Sequence, residues 1–257
     1  MIYQFLYYLG GLLALPFSPL LIFQGKRVRA RIPKLPEAAG PNQGVVGNTG
    51  RPIHLLTLGE STIAGVGVKS HEEGFSGHLV KCLNKAIGRP VEWQVIAKSG
   101  YTARAATVHL APLLPSAPLN LIIIGLGGND TFQLNSPLRW RSDMIHLIDA
   151  IRQRQPDAPI LIINLPPVGQ FPAFPASLQF MLGSLARLHG KVIRDIPTLF
   201  KKVYYMSRPI SLKDWEEKAP PGADMNAFFS DGLHPSELTY KLWAEEAGAF
   251  IINLKIL

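Results

Sequence analysis

Cysteine is almost absent from this chain. Cys82 is the single cysteine among 257 residues, which excludes an internal disulfide and a cysteine-based metal site. The sequence also lacks HExxH, GxGxxG and GxxxxGK[ST] motifs, so it shows no common zinc-peptidase, dinucleotide or phosphate-loop signature. No histidine has metal-ligand spacing to a partner. We therefore expect no metal ion and no organic cofactor.

Acidic residues are missing from the first 34 positions, and charged side chains of either sign begin only at Lys26. A short basic run follows, made of Lys26, Arg27, Arg29, Arg31 and Lys34. These five cations account for most of the formal net charge of +8. The rest of the chain has no basic stripe interleaved with aromatic residues, so nucleic acid is not an expected partner.

The uncharged stretch from Ile2 to Phe23 is about long enough to cross the hydrocarbon core of a bilayer as a helix. Pro16 and Pro19 interrupt its hydrogen bonding and predict a kink. Aromatic residues of the kind found at membrane interfaces lie near its start, at Tyr3, Tyr7 and Tyr8. We predict a membrane segment over residues 1–25, preceding the main domain as an apolar helix.

The position of the basic run predicts the membrane topology. Because it follows the apolar stretch, the positive-inside rule places the main domain in the cytoplasm. Two alternatives stay open: an interfacial or re-entrant hairpin, and a cleaved secretory signal that would leave the domain periplasmic or secreted. Residues 26–50 contain proline, glycine and basic residues and are predicted to be a flexible tether. Residues 51–257 then form the main domain.

The main domain alternates apolar runs with helical patterns. Four runs read as buried strands, and helical patterns separate them: the runs are 53–58, 91–97, 119–125 and 160–165. Such an alternation predicts an α/β three-layer sandwich with a mostly parallel sheet of about five strands. Binding sites in sheets of this kind lie at the carboxyl ends of the strands.

Polar and glycine residues that suit acyl-transfer chemistry follow three of these strands. Ser61 lies in Gly-Glu-Ser-Thr after the first strand, where a turn can expose its hydroxyl. Gly100 follows the second strand and can bring a backbone N–H close to a substrate oxygen. Asn129 follows the third strand, and its amide is a neutral donor able to stabilise an oxyanion.

A loop near the end of the chain supplies an acid and a base. Asp231 precedes His234 by three residues in Asp-Gly-Leu-His-Pro. The carboxylate can accept the Nδ1 proton, which fixes the ring tautomer and leaves Nε2 free as a base.

The four segments together resemble the SGNH (GDSL-type) serine hydrolase family over about residues 53–250, with the flavodoxin-like fold that this family has. The resemblance implies an esterase or lipase in which Ser61 is the nucleophile, His234 the base and Asp231 its orienting acid. It further implies oxyanion donors at the backbone N–H groups of Ser61 and Gly100 and at the Asn129 amide. Glu60 and Thr62 depart from the family's usual Asp and Leu.

The expected substrate is a small-molecule carboxylic ester. Apolar segments at 166–184 and 205–230, the second including Met225, could wall an acyl pocket or simply cover the sheet edge. The membrane segment favours lipid-like or long-acyl esters. A carbohydrate O-acetyl esterase or acyltransferase is an alternative, and a non-catalytic membrane-tethered binding module is another.

Overall fold

The apolar N-terminus forms a nearly continuous helix in the structure, a computed structural model that describes residues 2–257 except for the side chain of Met225. Helix α1 (Ile2–Ala14) and helix α2 (Ser18–Arg31) are joined by a 3-10 turn at Leu15–Phe17. The turn contains Pro16, which cannot donate a helical hydrogen bond. Within the described part of the chain, Ile2–Arg31 is the one helix long and apolar enough to cross a membrane. The predicted apolar helix is confirmed and extends beyond residue 25.

The main domain alternates strands and helices. Its first half contains β1 (Gln43–Val46), β2 (Ile53–Gly59), α3 (Phe75–Ile87), β3 (Val91–Ala97), α4 (Ala103–His109), β4 (Leu121–Gly125), α5 (Gly128–Phe132) and α6 (Pro137–Arg154). Its second half contains β5 (Ile160–Ile162), α7 (Ala176–Val192), α8 (Ile196–Leu199), β6 (Val203–Tyr205), α9 (Leu212–Glu216) and α10 (Glu237–Leu254). The strand order is β1-β3-β2-β4-β5-β6. Only the β1–β3 pair is antiparallel, so the predicted mostly parallel sheet is confirmed, with six strands rather than about five.

The prediction of a flexible tether over residues 26–50 was wrong for two stretches. Helix α2 continues to Arg31, and residues 43–46 form the edge strand β1. The register pairs Val46 with Val91 at one end of β1 and Gln43 with Gln94 at the other. A four-residue strand at an edge gains its stability from the partner strand, which its own sequence does not reveal.

Helices cover both faces of the sheet. Alternate residues of the central strands point to opposite faces, as in any strand. Leu55 of β2 belongs to the cluster that contains Leu79 of α3 and Trp243 of α10. Leu56, the next residue, belongs to the cluster that contains Leu147 of α6. Burial on both faces explains the uninterrupted apolar runs and confirms the three-layer arrangement.

The carboxyl ends of three adjacent strands lie side by side. Gly59 at the end of β2 pairs with Ala97 of β3 on one side and with Gly125 of β4 on the other. A Cβ at position 59 would lie 2.2 Å from the Gly125 carbonyl oxygen, so only glycine fits there. The segments that follow these three strands therefore begin at the same edge of the sheet.

Candidate active site

Ser61 lies in a tight turn directly after β2. The Glu60 backbone N–H donates to the Gly125 carbonyl at 3.1 Å, and Ile63 and Ala64 donate back to the Glu60 carbonyl at 2.9 Å each. Ser61 itself is partly exposed. Its backbone N–H has no acceptor among the residues that the structure describes. The turn thus presents a hydroxyl and a free backbone donor at the sheet edge.

Gly100 lies in the loop after β3 and has a φ of +84°, a conformation that favours glycine. Its N–H also lacks an acceptor within the described part of the chain. Glu37 holds this loop: the Ser99 N–H donates to Oε1 at 2.7 Å and Lys98 Nζ to Oε2 at 3.2 Å. Burial opposes ionisation of Glu37, but these partners outweigh it and lower its pKa below the ordinary value.

Asn129 lies in the first turn of α5, directly after β4. Its side-chain amide donates to the Glu60 carboxylate and, at 3.2 Å, to the Tyr101 carbonyl. The Glu60 carboxylate also accepts the backbone N–H groups of Gly128 at 2.7 Å and of Asn129 at 2.9 Å. One carboxylate therefore ties the Ser61 turn to the Asn129 turn.

Glu60 and Asp130 are both buried acids beside this turn. Burial raises the pKa of Glu60 to about 7, although the N–H donors of Gly128 and Asn129 act in the opposite direction. Burial likewise raises the pKa of Asp130 to about 6, against the Ala103 N–H and the Asn135 amide that donate to it. The role of Glu60 in joining these two turns was missed from the sequence, where Glu60 counted only as a departure from the family's usual Asp.

Asp231 and His234 form the predicted hydrogen-bonded pair. His234 Nδ1 lies 2.8 Å from Asp231 Oδ2, and the Asp231 side chain is fully buried. Asp231 Oδ1 also accepts the backbone N–H groups of Leu233 at 2.9 Å and of His234 at 2.7 Å. Burial alone would raise the pKa of Asp231, but these hydrogen bonds prevail and lower it. The ionised carboxylate thus orients the ring through Nδ1, and Nε2 is the ring nitrogen that does not face Asp231.

Two hydrogen bonds tie the Asp231–His234 loop, and the helix α10 that follows it, to the segment after Ser61. Ser230 Oγ donates to the Gly67 carbonyl at 3.1 Å, and Tyr240 OH donates to the Val66 carbonyl at 2.7 Å. The Val66 N–H in turn donates to the Ser61 carbonyl at 3.1 Å. No direct hydrogen bond joins the Ser61 hydroxyl to the His234 ring in the described part of the chain.

Most of the proposed pocket-wall residues belong to the core. Phe171 and Phe174 are buried in an aromatic cluster with Phe132 at the end of α5. Trp215 and Phe228 are fully buried. The side chain of Met225 lies outside the described residues, and Phe180 is 75% exposed on α7. Among the described residues, no three His, Cys, Asp or Glu side chains form a group suited to a metal ion.

Comparison with known families assigns the class of this protein. The model of the GDSL-like lipase/acylhydrolase family matches residues 57–242, which is most of the chain. The chain belongs to this family, and the resemblance seen in the sequence is confirmed. It is accordingly a carboxylic ester hydrolase by family.

Individual relatives agree with this assignment. A curated relative, the GDSL-like esterase Rv1075c of Mycobacterium tuberculosis, is 26% identical over 243 residues, covering 88% of this chain and 74% of the relative. The crystal structure of TesA is 20% identical, with a TM-score of 0.56, over 78% of this chain and 99% of TesA. A Clostridium thermocellum family 3 carbohydrate esterase is 18% identical, with a TM-score of 0.58, over 79% and 97% of the two chains. The two structural likenesses show a shared fold.

Proposed function

We propose that the protein cleaves acyl esters through a covalent acyl-enzyme formed on Ser61. His234 takes the Ser61 proton as Oγ attacks the ester carbonyl, and then gives that proton to the leaving alcohol. Water, deprotonated by the same ring, releases the acid and restores Ser61. Asp231 holds the ring in the required tautomer and stabilises its charged form.

The oxyanion of the tetrahedral intermediate is stabilised by three donors in this proposal. Two are the backbone N–H groups of Ser61 and Gly100, which have no acceptor within the described residues. The third is the Asn129 amide, which donates to the Glu60 carboxylate and, over a longer distance of 3.2 Å, to the Tyr101 carbonyl. In this proposal the substrate oxygen replaces the Tyr101 carbonyl as acceptor. Donors already in place at the developing charge need little reorganisation.

The observation that carries the proposal is that the strand-end segments and the Asp231–His234 loop are connected by hydrogen bonds. Strand register brings the segments after β2, β3 and β4 to one edge of the sheet. The hydrogen bonds from Ser230, beside Asp231, and from Tyr240 of α10 then connect the Asp231–His234 region to the segment after Ser61.

A long or lipid-like acyl chain is the substrate class we favour, and the N-terminal segment is the proposed membrane attachment. Support comes from the apolar helix Ile2–Arg31 and from the family's description as lipases and acylhydrolases. The basic residues at its C-terminal end favour a catalytic domain on the cytoplasmic side, where the anionic membrane surface attracts them. Protease protection of the domain in sealed vesicles of known orientation tests this side of the membrane, and digestion from the periplasmic side would contradict it.

A fluorophosphonate probe tests the nucleophile. Wild-type protein should be labelled and Ser61→Ala should not, and Ser61→Ala should lose about 10⁴-fold or more of its p-nitrophenyl ester hydrolysis. Ser99→Ala is the matched control, because this serine lies in the neighbouring loop and should leave labelling intact. Full activity in Ser61→Ala would overturn the mechanism. Strict preference for acetate over longer p-nitrophenyl esters would favour an O-acetyl esterase instead.

A further inference from the structure

The N-terminal helices lie along the catalytic domain. Near the start of the helix pair α1–α2, Tyr7 OH donates to the Leu134 carbonyl at 2.8 Å. At the other end Ser177 Oγ donates to Gln24 Oε1 at 2.6 Å, and Val28 packs against the domain core. Because the contacts run along both helices, the pair cannot cross a bilayer without breaking them.

The opposite side of the helix pair is apolar and open. Its large side chains are more than half exposed, among them Phe5, Tyr8, Leu12 and Phe17. A continuous apolar surface of this kind is rare on soluble monomers and marks a lipid or protein contact. The basic residues that begin at Lys26 adjoin it, and acidic residues are absent until Glu37. Apolar residues beside a basic cluster are typical of a helix lying in the interface of an anionic membrane.

A groove of about 770 Å³ opens between α2 and the loop 172–175. Its lining is apolar at Leu20, Phe23 and Phe174 and cationic at Arg27 and Arg31. The groove reaches Asp231, and the Ala173 N–H donates to the Gly232 carbonyl at 3.0 Å, which joins its loop to the catalytic loop. Its volume falls in the range of small-molecule sites.

The two arginines are available to an anion. They are four residues apart, so both side chains project from the same face of α2. Neither lies within ion-pair distance of any acid that the structure describes. Guanidinium groups bind phosphate oxygens in pairs of hydrogen bonds. The apolar lining residues of the groove suit an alkyl chain.

We propose that this groove binds an anionic membrane lipid, with its phosphate on Arg27 and Arg31 and its acyl chain along Leu20, Phe23 and Phe174. The helix pair lies on the bilayer surface and brings the groove to the lipid headgroups. The site thus selects long-chain esters with an anionic head for the neighbouring catalytic loop. That the selected lipids are hydrolysed rests on the proposed function, whereas lipid binding to the groove can be measured without any turnover.

Dodecyl phosphate tests the groove, because it has the required head and chain but no carboxylic ester. Its binding to the full chain in a non-ionic detergent is measured by calorimetry, beside dodecylphosphocholine and inorganic phosphate. The double variant Arg27→Gln/Arg31→Gln is compared with Lys26→Gln/Arg29→Gln, which removes the same charge from the same helix outside the groove. We expect dodecyl phosphate to bind about tenfold more weakly to the first variant and within about threefold of wild type to the second.

Each result decides between sources of binding. Equal losses in the two variants, or no preference for dodecyl phosphate over dodecylphosphocholine, would overturn the site. Equally tight binding of inorganic phosphate would show a site for free phosphate and would overturn the proposal that the groove binds a lipid. Hydrolysis of p-nitrophenyl acetate by wild type and by the Lys26→Gln/Arg29→Gln variant, abolished by Ser61→Ala, keeps the two claims separate. Absence of p-nitrophenyl ester hydrolysis at every chain length in wild type would refute the proposed hydrolase while calorimetry still reports on the groove.

Discussion

The proposed oxyanion donors and the Asp231–His234 pair are held in place by different means. Ser61, Gly100 and Asn129 follow three hydrogen-bonded strands whose ends share one register. The acid and base lie on an irregular loop before α10, held by a few side-chain hydrogen bonds. The sheet therefore positions one half of the site through the backbone, and individual side chains position the other half.

This difference has a practical consequence for the effect of mutations. A change in a strand-end donor removes one interaction and leaves its backbone in register. A change in Asp231 affects the partner of the ring and, together with it, the one oxygen that accepts two loop N–H groups. We expect the loop to respond as a unit and the strand ends to respond residue by residue.

After loss of the nucleophile in Ser61→Ala, the largest effect is expected from Asp231→Asn. The amide keeps the size of the carboxylate but cannot orient the neutral ring or stabilise its charged form, so kcat should fall about 10³–10⁴-fold. Esterase kinetics measure this. Asp224→Asn is the control, because Asp224 also accepts loop N–H groups, from Asn226 and Ala227, but does not contact His234. A comparable loss in the control would mean that loop order, not ring orientation, is what Asp231 supplies.

Removal of the Asn129 amide is expected to have an intermediate effect. Asn129→Ala deletes one oxyanion donor and should lower kcat about 10²–10³-fold with little change in KM. Asn120→Ala is the matched control, since this residue precedes the opposite end of β4, where its side chain accepts the His54 N–H. If Asn129→Ala raised KM alone, the amide would be a substrate-binding group and not an oxyanion donor.

The smallest effect is expected from Glu60→Gln and appears in stability. Because the pKa of Glu60 is raised from 4.5 to about 7, its contribution to stability is present below pH 4.5 and lost as pH rises through about 7. Glutamine imitates the neutral form. Wild type should therefore lose stability relative to the variant between about pH 5 and pH 8, measured as denaturation midpoints. A difference that stays constant over this window would refute the raised pKa.

Asp231 provides the opposite pH dependence. Its pKa is lowered from 3.8, so its contribution is present above that value and is lost as pH falls through the folded pKa.

The central strands and main helices could be predicted from the sequence because their patterns are long and strongly apolar. β4 is a run of buried branched residues, and Ser236 caps α10 by accepting the Thr239 N–H. The short edge strands β1 and β6 escaped prediction, because three or four residues acquire strand geometry only from a neighbour. Helix α7 was not predicted; it begins inside the apolar segment 166–184, where the prolines that precede Ala176 are typical of irregular structure.

The sequence alone determined the chemistry that each strand end can offer. Ser61, Gly100, Asn129 and the Asp231–His234 pair are local signals, each readable from a few neighbouring residues. Only the tertiary structure decided that Glu60 joins two of these turns and that α2 lies beside Asp231. Those relations depend on contacts between residues far apart in the chain, and a local pattern carries no record of its distant partner.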